Sequence, residues 1–412
     1  MINLNPETFE LTNGIRVVYL KREAFVAHLG VMVHAGSRFE NKDEEGLAHF
    51  IEHSIFKGTN KRAAIDVFSD LDSVGGELNA YTNKEEICVH ASFRKNHVEI
   101  ASELLGDIIE NASFPDDEIE VERSVVLDEI ISYLDTPSER IFDEFEAAVF
   151  HNDALGRNIL GTKESVSSFN RELLIDYKSK WFTAENIVIS FVGDLDSREL
   201  IGMLESNFGN IKRGSKRDDL SASNEINRFK LKHVRANFQA HTLIGGLAPS
   251  YNSDDRKAMV LLINLLGGPA LNARLNLSVR EKHGYSYNVE AGYTSYSNTG
   301  MWNVYMGTDM KFLENAKELV YKEIEELVKT PLEKEHLEEA KEQLKGHLAL
   351  SYDSNLELML SHAKNLLMFD RVDTLAEIYS SIDELSIGEL SAVAERWFQE
   401  SNIGELVYTT SD

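Results

Sequence analysis

The chain has a single cysteine, Cys88, among 412 residues. An intramolecular disulfide is therefore excluded, and Cys88, within Glu86-Ile87-Cys88-Val89-His90, reads as a small buried apolar residue. No apolar run approaches the ~20 residues of a membrane-spanning helix. The first residues, Met1–Glu7, show no basic segment, no apolar segment and no Arg-rich amphipathic pattern of a targeting leader. The expectation is a soluble, cytoplasmic protein with no membrane association. Basic residues are also scarce: 42 Lys and Arg stand against 69 Asp and Glu, a formal net charge of −27. That balance disfavours nucleic-acid binding, which calls for a basic surface. On its own it reads as a charge that keeps the chain soluble; long-range attraction of basic peptides is the alternative reading.

The length is enough for two or three domains with large cores. Thr8–Leu11 and Ile15–Leu20 predict a hairpin around Asn13-Gly14, followed by a strand over Val26–His34. A helix then follows, with Asn41 or Asp43 as its expected N-cap, and stops near Lys57-Gly58. Further elements are a helix over Ile65–Val74 and two strands within Glu77–Ser92. A helix over 95–112 has Val98, Ala101, Leu104, Leu105 and Ile108 at helical spacing, and a long helix runs from Pro115 to about Leu134.

The second half repeats the first. Trp181-Phe182…Asn186-Ile187 recurs as Trp397-Phe398…Asn402-Ile403, shifted by 216, and Pro115 has its counterpart in Pro331 at the same shift. Leu29–Ser37 resembles Thr242–Ser250. A repeat of this length indicates a duplicated domain rather than a solenoid. The reading is α+β: two homologous domains, each a mostly antiparallel sheet with helices packed on one face. They are expected over residues 1–211 and 228–412, with a polar linker at 212–227.

One stretch carries chemistry. Gly46-Leu47-Ala48-His49-Phe50-Ile51-Glu52-His53 contains H-x-x-E-H, which puts His49 and His53 on one helical face with Glu52 at its edge. Two imidazoles at this spacing suit Zn²⁺, and a carboxylate beside them can take a proton from a water. The pattern alone is equally compatible with a helix bearing two surface histidines. A catalytic zinc needs a third protein ligand. The long helix offers Glu118, Glu120, Glu122, Asp128 and Glu129, and periodicity does not choose among them. The second half lacks the motif: its aligned segment, about Ala258–Leu266, is apolar. The other histidines, His28, His90, His347 and His362 among them, lack ligand spacing and read as surface or satisfied core residues.

Taken together, Gly46…His49-Phe50-Ile51-Glu52-His53…Phe56-Lys57-Gly58-Thr59 and Gly75-Gly76-Glu77-Leu78-Asn79-Ala80-Tyr81-Thr82 resemble the pitrilysin/insulinase superfamily of inverted-motif zinc peptidases. Within it the chain resembles the short, half-length members typified by the mitochondrial processing peptidase β-subunit and its bacterial relatives. The resemblance spans essentially the whole sequence. It implies a zinc metalloendopeptidase cutting peptides or unfolded segments inside a closed chamber, with one Zn²⁺ per chain. The third ligand would be Glu129, 76 residues after His53, with Glu122 orienting a ligand histidine and Glu52 as general base. Asn79 and Ala80 would hold an extended substrate as an added strand. Arg280 and Tyr287 would bind a substrate carbonyl and the oxyanion, with Tyr285 a competitor for the latter role. The family's glycine-rich loop matches Leu266-Gly267-Gly268-Pro269, where Pro269 and Ala270 depart from its pattern. The family arrangement implies a homodimer, or a heterodimer with a related chain, in which Arg280 and Tyr287 serve the partner's zinc. Two other readings use the same residues: a non-catalytic assembly subunit, and a peptide-binding module with structural zinc.

Overall fold

The computed structural model describes residues 5–215, 228–235 and 237–410. From residue 216 onward, the linker expected at 212–227 lies outside the described residues. The described strands are β1 (Glu7–Glu10), β2 (Arg16–Lys21), β3 (Val26–Val33), β4 (Glu77–Thr82), β5 (Ile87–Arg94), β6 (Ile187–Gly193), β7 (Lys230–Arg235), β8 (Ala240–Ala248), β9 (Ser286–Ser295), β10 (Gly300–Thr308) and β11 (Gly404–Thr410). The helices of the first half are α1 (Leu47–Ser54), α2 (Ala64–Asp72), α3 (Val98–Asn111), α4 (Asp116–Leu134), α5 (Pro137–Val149), α6 (Lys163–Ser168), α7 (Arg171–Trp181) and α8 (Ser197–Phe208). Those of the second half are α9 (Arg256–Gly267), α10 (Leu313–Lys329), α11 (Lys334–Ser351), α12 (Asn355–Phe369), α13 (Leu375–Asp383) and α14 (Ile387–Trp397).

Two compact units form, and neither is continuous in sequence. The first gathers residues 1–131, 157–218 and 349–376; the second gathers 132–156, 219–348 and 377–412. A single cut near 212–227 would leave 132–156 and 349–376 on the wrong sides. The reason is packing. In the first unit the sheet runs β1-β2-β6-β3-β5-β4, antiparallel except for the parallel pair β2·β6. One face carries the main core, where the α3 positions Val98, Ala101, Leu104, Leu105 and Ile108 are all buried, together with residues of α1, α2, α7 and α8. The opposite face is apolar too, through Val18, Met32, Cys88 and Val188, and α12 covers it with Ala363, Leu366 and Leu367. Each such burial contributes roughly 1.5–3 kcal/mol for a large side chain. A helix from late in the sequence thus completes an early sheet.

The second unit mirrors this. Its sheet runs β7-β11-β8-β10-β9, again with one parallel pair, β7·β11, and otherwise antiparallel. The order matches the first unit without β1, as the 216-residue repeat predicts. Helices α9, α10, α11 and α14 build the core on one face. The other face receives α5, whose Ile141, Phe145 and Val149 cluster with Leu243, Tyr305, Leu406 and Tyr408. The helices therefore gather mainly on one face of each sheet, and one borrowed helix covers the other.

One histidine departs from expectation. His362 on α12 is 1% exposed, and neither ring nitrogen has a hydrogen-bond partner among the described residues. It is a core residue, but not a satisfied one. Among the described residues no helix is long and apolar enough to cross a membrane.

Candidate active site

The site is assembled in the first unit from α1, α4 and the β4–β5 hairpin. Helix α1 starts at Leu47, with Gly46 preceding it in the left-handed region at φ 93°. A Cβ at Gly46 would also meet the Leu160 carbonyl oxygen at 2.6 Å, so glycine is required there twice over. The expected N-caps do not cap this helix: Asn41 instead closes the short turn at Lys42–Glu44, its backbone N–H donating to Glu44 Oε2 at 2.9 Å. Glu40 does the capping. Its Oε1 accepts from Ala48 N at 2.7 Å and its Oε2 from Gly46 N at 3.0 Å. This buried side chain satisfies two orphan donors of the helix; burial pushes its carboxyl up to about 8, against the pull of the two N–H groups it accepts from. The connection before it is pinned to the hairpin. A Cβ at Gly36 would fall 2.5 Å from the carbonyl oxygens of Asn83 and Lys84, and Arg38 forms a buried pair with Glu85 at 2.6 Å.

On this scaffold His49, His53 and Glu129 come together, their ligand atoms all within 4.8 Å of one another. Glu129 Oε2 lies 3.6 Å from His49 Nε2 and 3.7 Å from His53 Nε2. Those separations exceed a hydrogen bond and approach the ~3.4 Å between two ligands on one tetrahedral zinc with ~2.1 Å bonds. The donor set, two imidazoles and a carboxylate, is one that zinc takes. Burial, reinforced by the neighbouring His53, holds His49 down at about 3, so its ring is the neutral form a metal requires. His49 Nδ1 is buried without a partner among the described residues, which leaves Nε2 as the atom aimed at the cluster. The residues present therefore fit a zinc ion.

Glu122, one of the open alternatives for the third ligand, lies apart from this set. Its Oε2 is 3.0 Å from His53 Nδ1, so the ring N–H donates to it, and in the neutral ring it is Nε2 that carries the lone pair a metal takes. Burial pushes against the charges here, but the hydrogen bonds win: Glu122 is held below its ordinary range by His53 and Lys57, and His53 is held above its own by Glu122, Glu52 and Glu129. Glu52 stands beside the cluster. Burial raises its carboxyl above the usual range, while the Thr82 hydroxyl, donating to Oε2 at 2.9 Å, pulls the other way.

Asn79 and Ala80 lie on β4, at the edge of the sheet, paired through β5 with His90 and Val89 and with no strand on their outer side among the described residues. In the second unit, Arg280 sits in a π-helical turn, Asn276–Glu281. Its guanidinium lies 4.6 Å from the ring centre of Tyr287, which is 82% exposed. Tyr285, the competing tyrosine, instead stacks on Phe312 at 5.0 Å and packs against the core. Where a second metal site would be, α9 and α11 meet through a hydrogen-bonding contact of 3.3 Å between Asn264 Oδ1 and His347 Nδ1. Sequence reasoning missed Glu40, Thr82 and Lys57 as parts of the site. An acid shortly before a glycine-started helix was the available signal for Glu40; for Thr82 and Lys57 there was only their place within the quoted motifs.

Residues 16–163 match the insulinase family (peptidase family M16), and residues 168–344 match the peptidase M16 inactive domain. The chain belongs to this family. Among relatives, it is 32% identical to the uncharacterized zinc protease YmxG of Bacillus subtilis, over 94% of this chain and 94% of the relative. It is 28% identical to the mitochondrial-processing peptidase subunit beta of Bos taurus, over 95% of this chain and 82% of the relative. Among solved structures, the fold matches a peptidase M16 inactive domain from Pseudomonas fluorescens at TM-score 0.92 and 18% identity, covering 99% of this chain and 98% of the other. It matches a protease from Helicobacter pylori at TM-score 0.91 and 18% identity, covering 99% and 100%.

Proposed function

We propose that this chain is a zinc-dependent endopeptidase that hydrolyses peptides or unfolded polypeptide segments, binding one Zn²⁺ through His49, His53 and Glu129. The observation that carries the reading is the meeting of three ligand atoms from α1 and α4 at metal-ligand spacing, with the Glu52 carboxylate alongside. The zinc-protease name of the Bacillus subtilis relative and the peptidase name of the Bos taurus one support it. When bound, zinc supplies Lewis-acid polarisation of the scissile carbonyl and makes a nearby water more acidic.

The remaining work falls to side chains. An extended substrate adds to the open edge of β4 along Asn79 and Ala80, which aligns one peptide bond with the site. Glu52 Oε2 is occupied by the Thr82 hydroxyl, so Oε1 is the atom that takes the proton of the attacking water. The same carboxyl then returns a proton to the leaving amine nitrogen. Arg280 engages a substrate carbonyl and the exposed Tyr287 hydroxyl donates to the developing oxyanion. These two act, in this proposal, on the site of a second chain, identical or related, within a dimer that encloses the substrate in a chamber. A cytoplasmic setting is part of the same proposal.

The test is Glu52→Gln. Cleavage of an unstructured quenched peptide is expected to fall at least ~10²-fold, with zinc still bound one per chain. Undiminished turnover in this variant, or turnover that survives removal of zinc by a chelator, overturns the proposal.

A further inference from the structure

Glu122 has two oxygens, and each has its own partner. Oε2 accepts from His53 Nδ1 at 3.0 Å; Oε1 is held by Lys57 Nζ at 2.5 Å. The Glu122 side chain is 5% exposed, so water does not hold it in place. Lys57 is itself confined, with its ammonium 5.8 Å from the ring centre of Phe68, which stacks on Phe56 at 6.2 Å. A flexible lysine is thus fixed between an aromatic face and a carboxylate, one helical turn beyond His53.

We infer that Lys57 is a positioning residue for the metal site: by anchoring the far oxygen of Glu122, it fixes the near oxygen under His53 Nδ1 and so aims His53 Nε2 at the ion. Without Lys57, Glu122 keeps one partner and leaves one buried oxygen unpaired. A buried carboxylate in that state is costly and turns to recover partners. His53 then loses the acceptor that fixes its ring, and the loss of such an outer partner weakens metal affinity by roughly 10–100-fold.

The inference rests on the zinc site proposed above, and its sign separates it from simple electrostatics. Removing a cation beside a dication site would by Coulomb's law alone tighten zinc binding. Positioning predicts the opposite. The measurement is Zn²⁺ affinity of the full chain by competition with a chromophoric chelator at constant pH, for the parent, Lys57→Met, Lys57→Arg, Glu122→Gln and the double variant Lys57→Met/Glu122→Gln. Met keeps the packing against Phe68 and removes only the charged anchor. Lys57→Met is expected to weaken zinc about 10-fold, and Lys57→Arg to recover most of that loss. In the Glu122→Gln background, Lys57→Met should add little, because its route is already broken. Unchanged or tighter zinc binding in Lys57→Met overturns the inference, as does an equal loss in the Glu122→Gln background. A parent chain that takes up no zinc overturns instead the function proposed for the site.

Discussion

Thr82 connects two jobs that the sequence presents separately. It closes β4, the strand proposed to receive the substrate, and its hydroxyl holds one oxygen of Glu52. A hydrogen bond to a charged group is worth about 1.5–3 kcal/mol, or roughly a 10–100-fold effect if it acts in the transition state. Thr82→Val keeps the shape and removes the hydroxyl, so kcat for an unstructured peptide should fall about 10-fold with KM and zinc content little changed. Thr82→Ser should retain most of the rate. A Val variant with parental kcat would remove Thr82 from the machinery. At this scale the sequence was legible only where motif and resemblance spoke. The histidine pair followed from helical spacing. The choice of Glu129 over Glu118, Glu120, Glu122 and Asp128 followed from resemblance alone. Glu40, Thr82 and Lys57 act through partners 6–65 positions away in the chain, and no periodicity reports such a meeting.

Among the elements, α3 and α4 show opposite degrees of legibility. Every apolar position that predicts the buried face of α3 is in the core. Helix α4 reverses the rule: Val121, Val125 and Ile131 are exposed while Glu122 is buried, because its inward face carries the carboxylates that meet His49 and His53 as well as core residues. Amphipathic reasoning assumes that burial follows hydrophobicity, and here chemistry overrides it. Helix α12 holds a second departure. Burial pushes His362 down to about 4, and burial with the neighbouring His90 does the same to His28 on β3, which α12 covers. Both rings fold neutral. Above about 6.5 the unfolded chain is neutral there as well, and no proton is linked to folding. As pH falls from 6.5 toward 4 the unfolded chain binds protons that the folded one refuses, so stability drops by up to ~1.4 kcal/mol per pH unit for each ring. Urea unfolding at pH 7, 6 and 5 should show that decline. His362→Leu should flatten part of it, and a variant with the parental slope would clear His362 of responsibility.

For the molecule as a whole, the duplication was legible because it left a 216-residue echo in tryptophan, asparagine and proline positions. The matching strand orders of the two units bear it out. The division of labour proposed for a dimer has its own test. Glu52→Gln chains would lack the proposed base, and Tyr287→Phe chains the proposed oxyanion donor. Mixed dimers of the two should recover up to a quarter to a half of parental activity if each site draws on both chains, while each variant alone stays weak. Failure to recover any activity on mixing would confine both groups to one chain's own site.

The reciprocal use of α12 and α5 could not be read from the sequence, since nothing in the pattern of a helix names the sheet it will cover. It also sets a schedule for synthesis. The strands of the first sheet are complete once β6 has been made, yet their outer face stays bare until α12 is complete, 176 residues later (Gly193 to Phe369). At ordinary elongation rates that is an interval of roughly ten to thirty-five seconds. Throughout it, Val18, Met32 and Cys88 confront whatever chaperone meets the nascent chain, and the earliest sheet of the protein is among the last to be sealed.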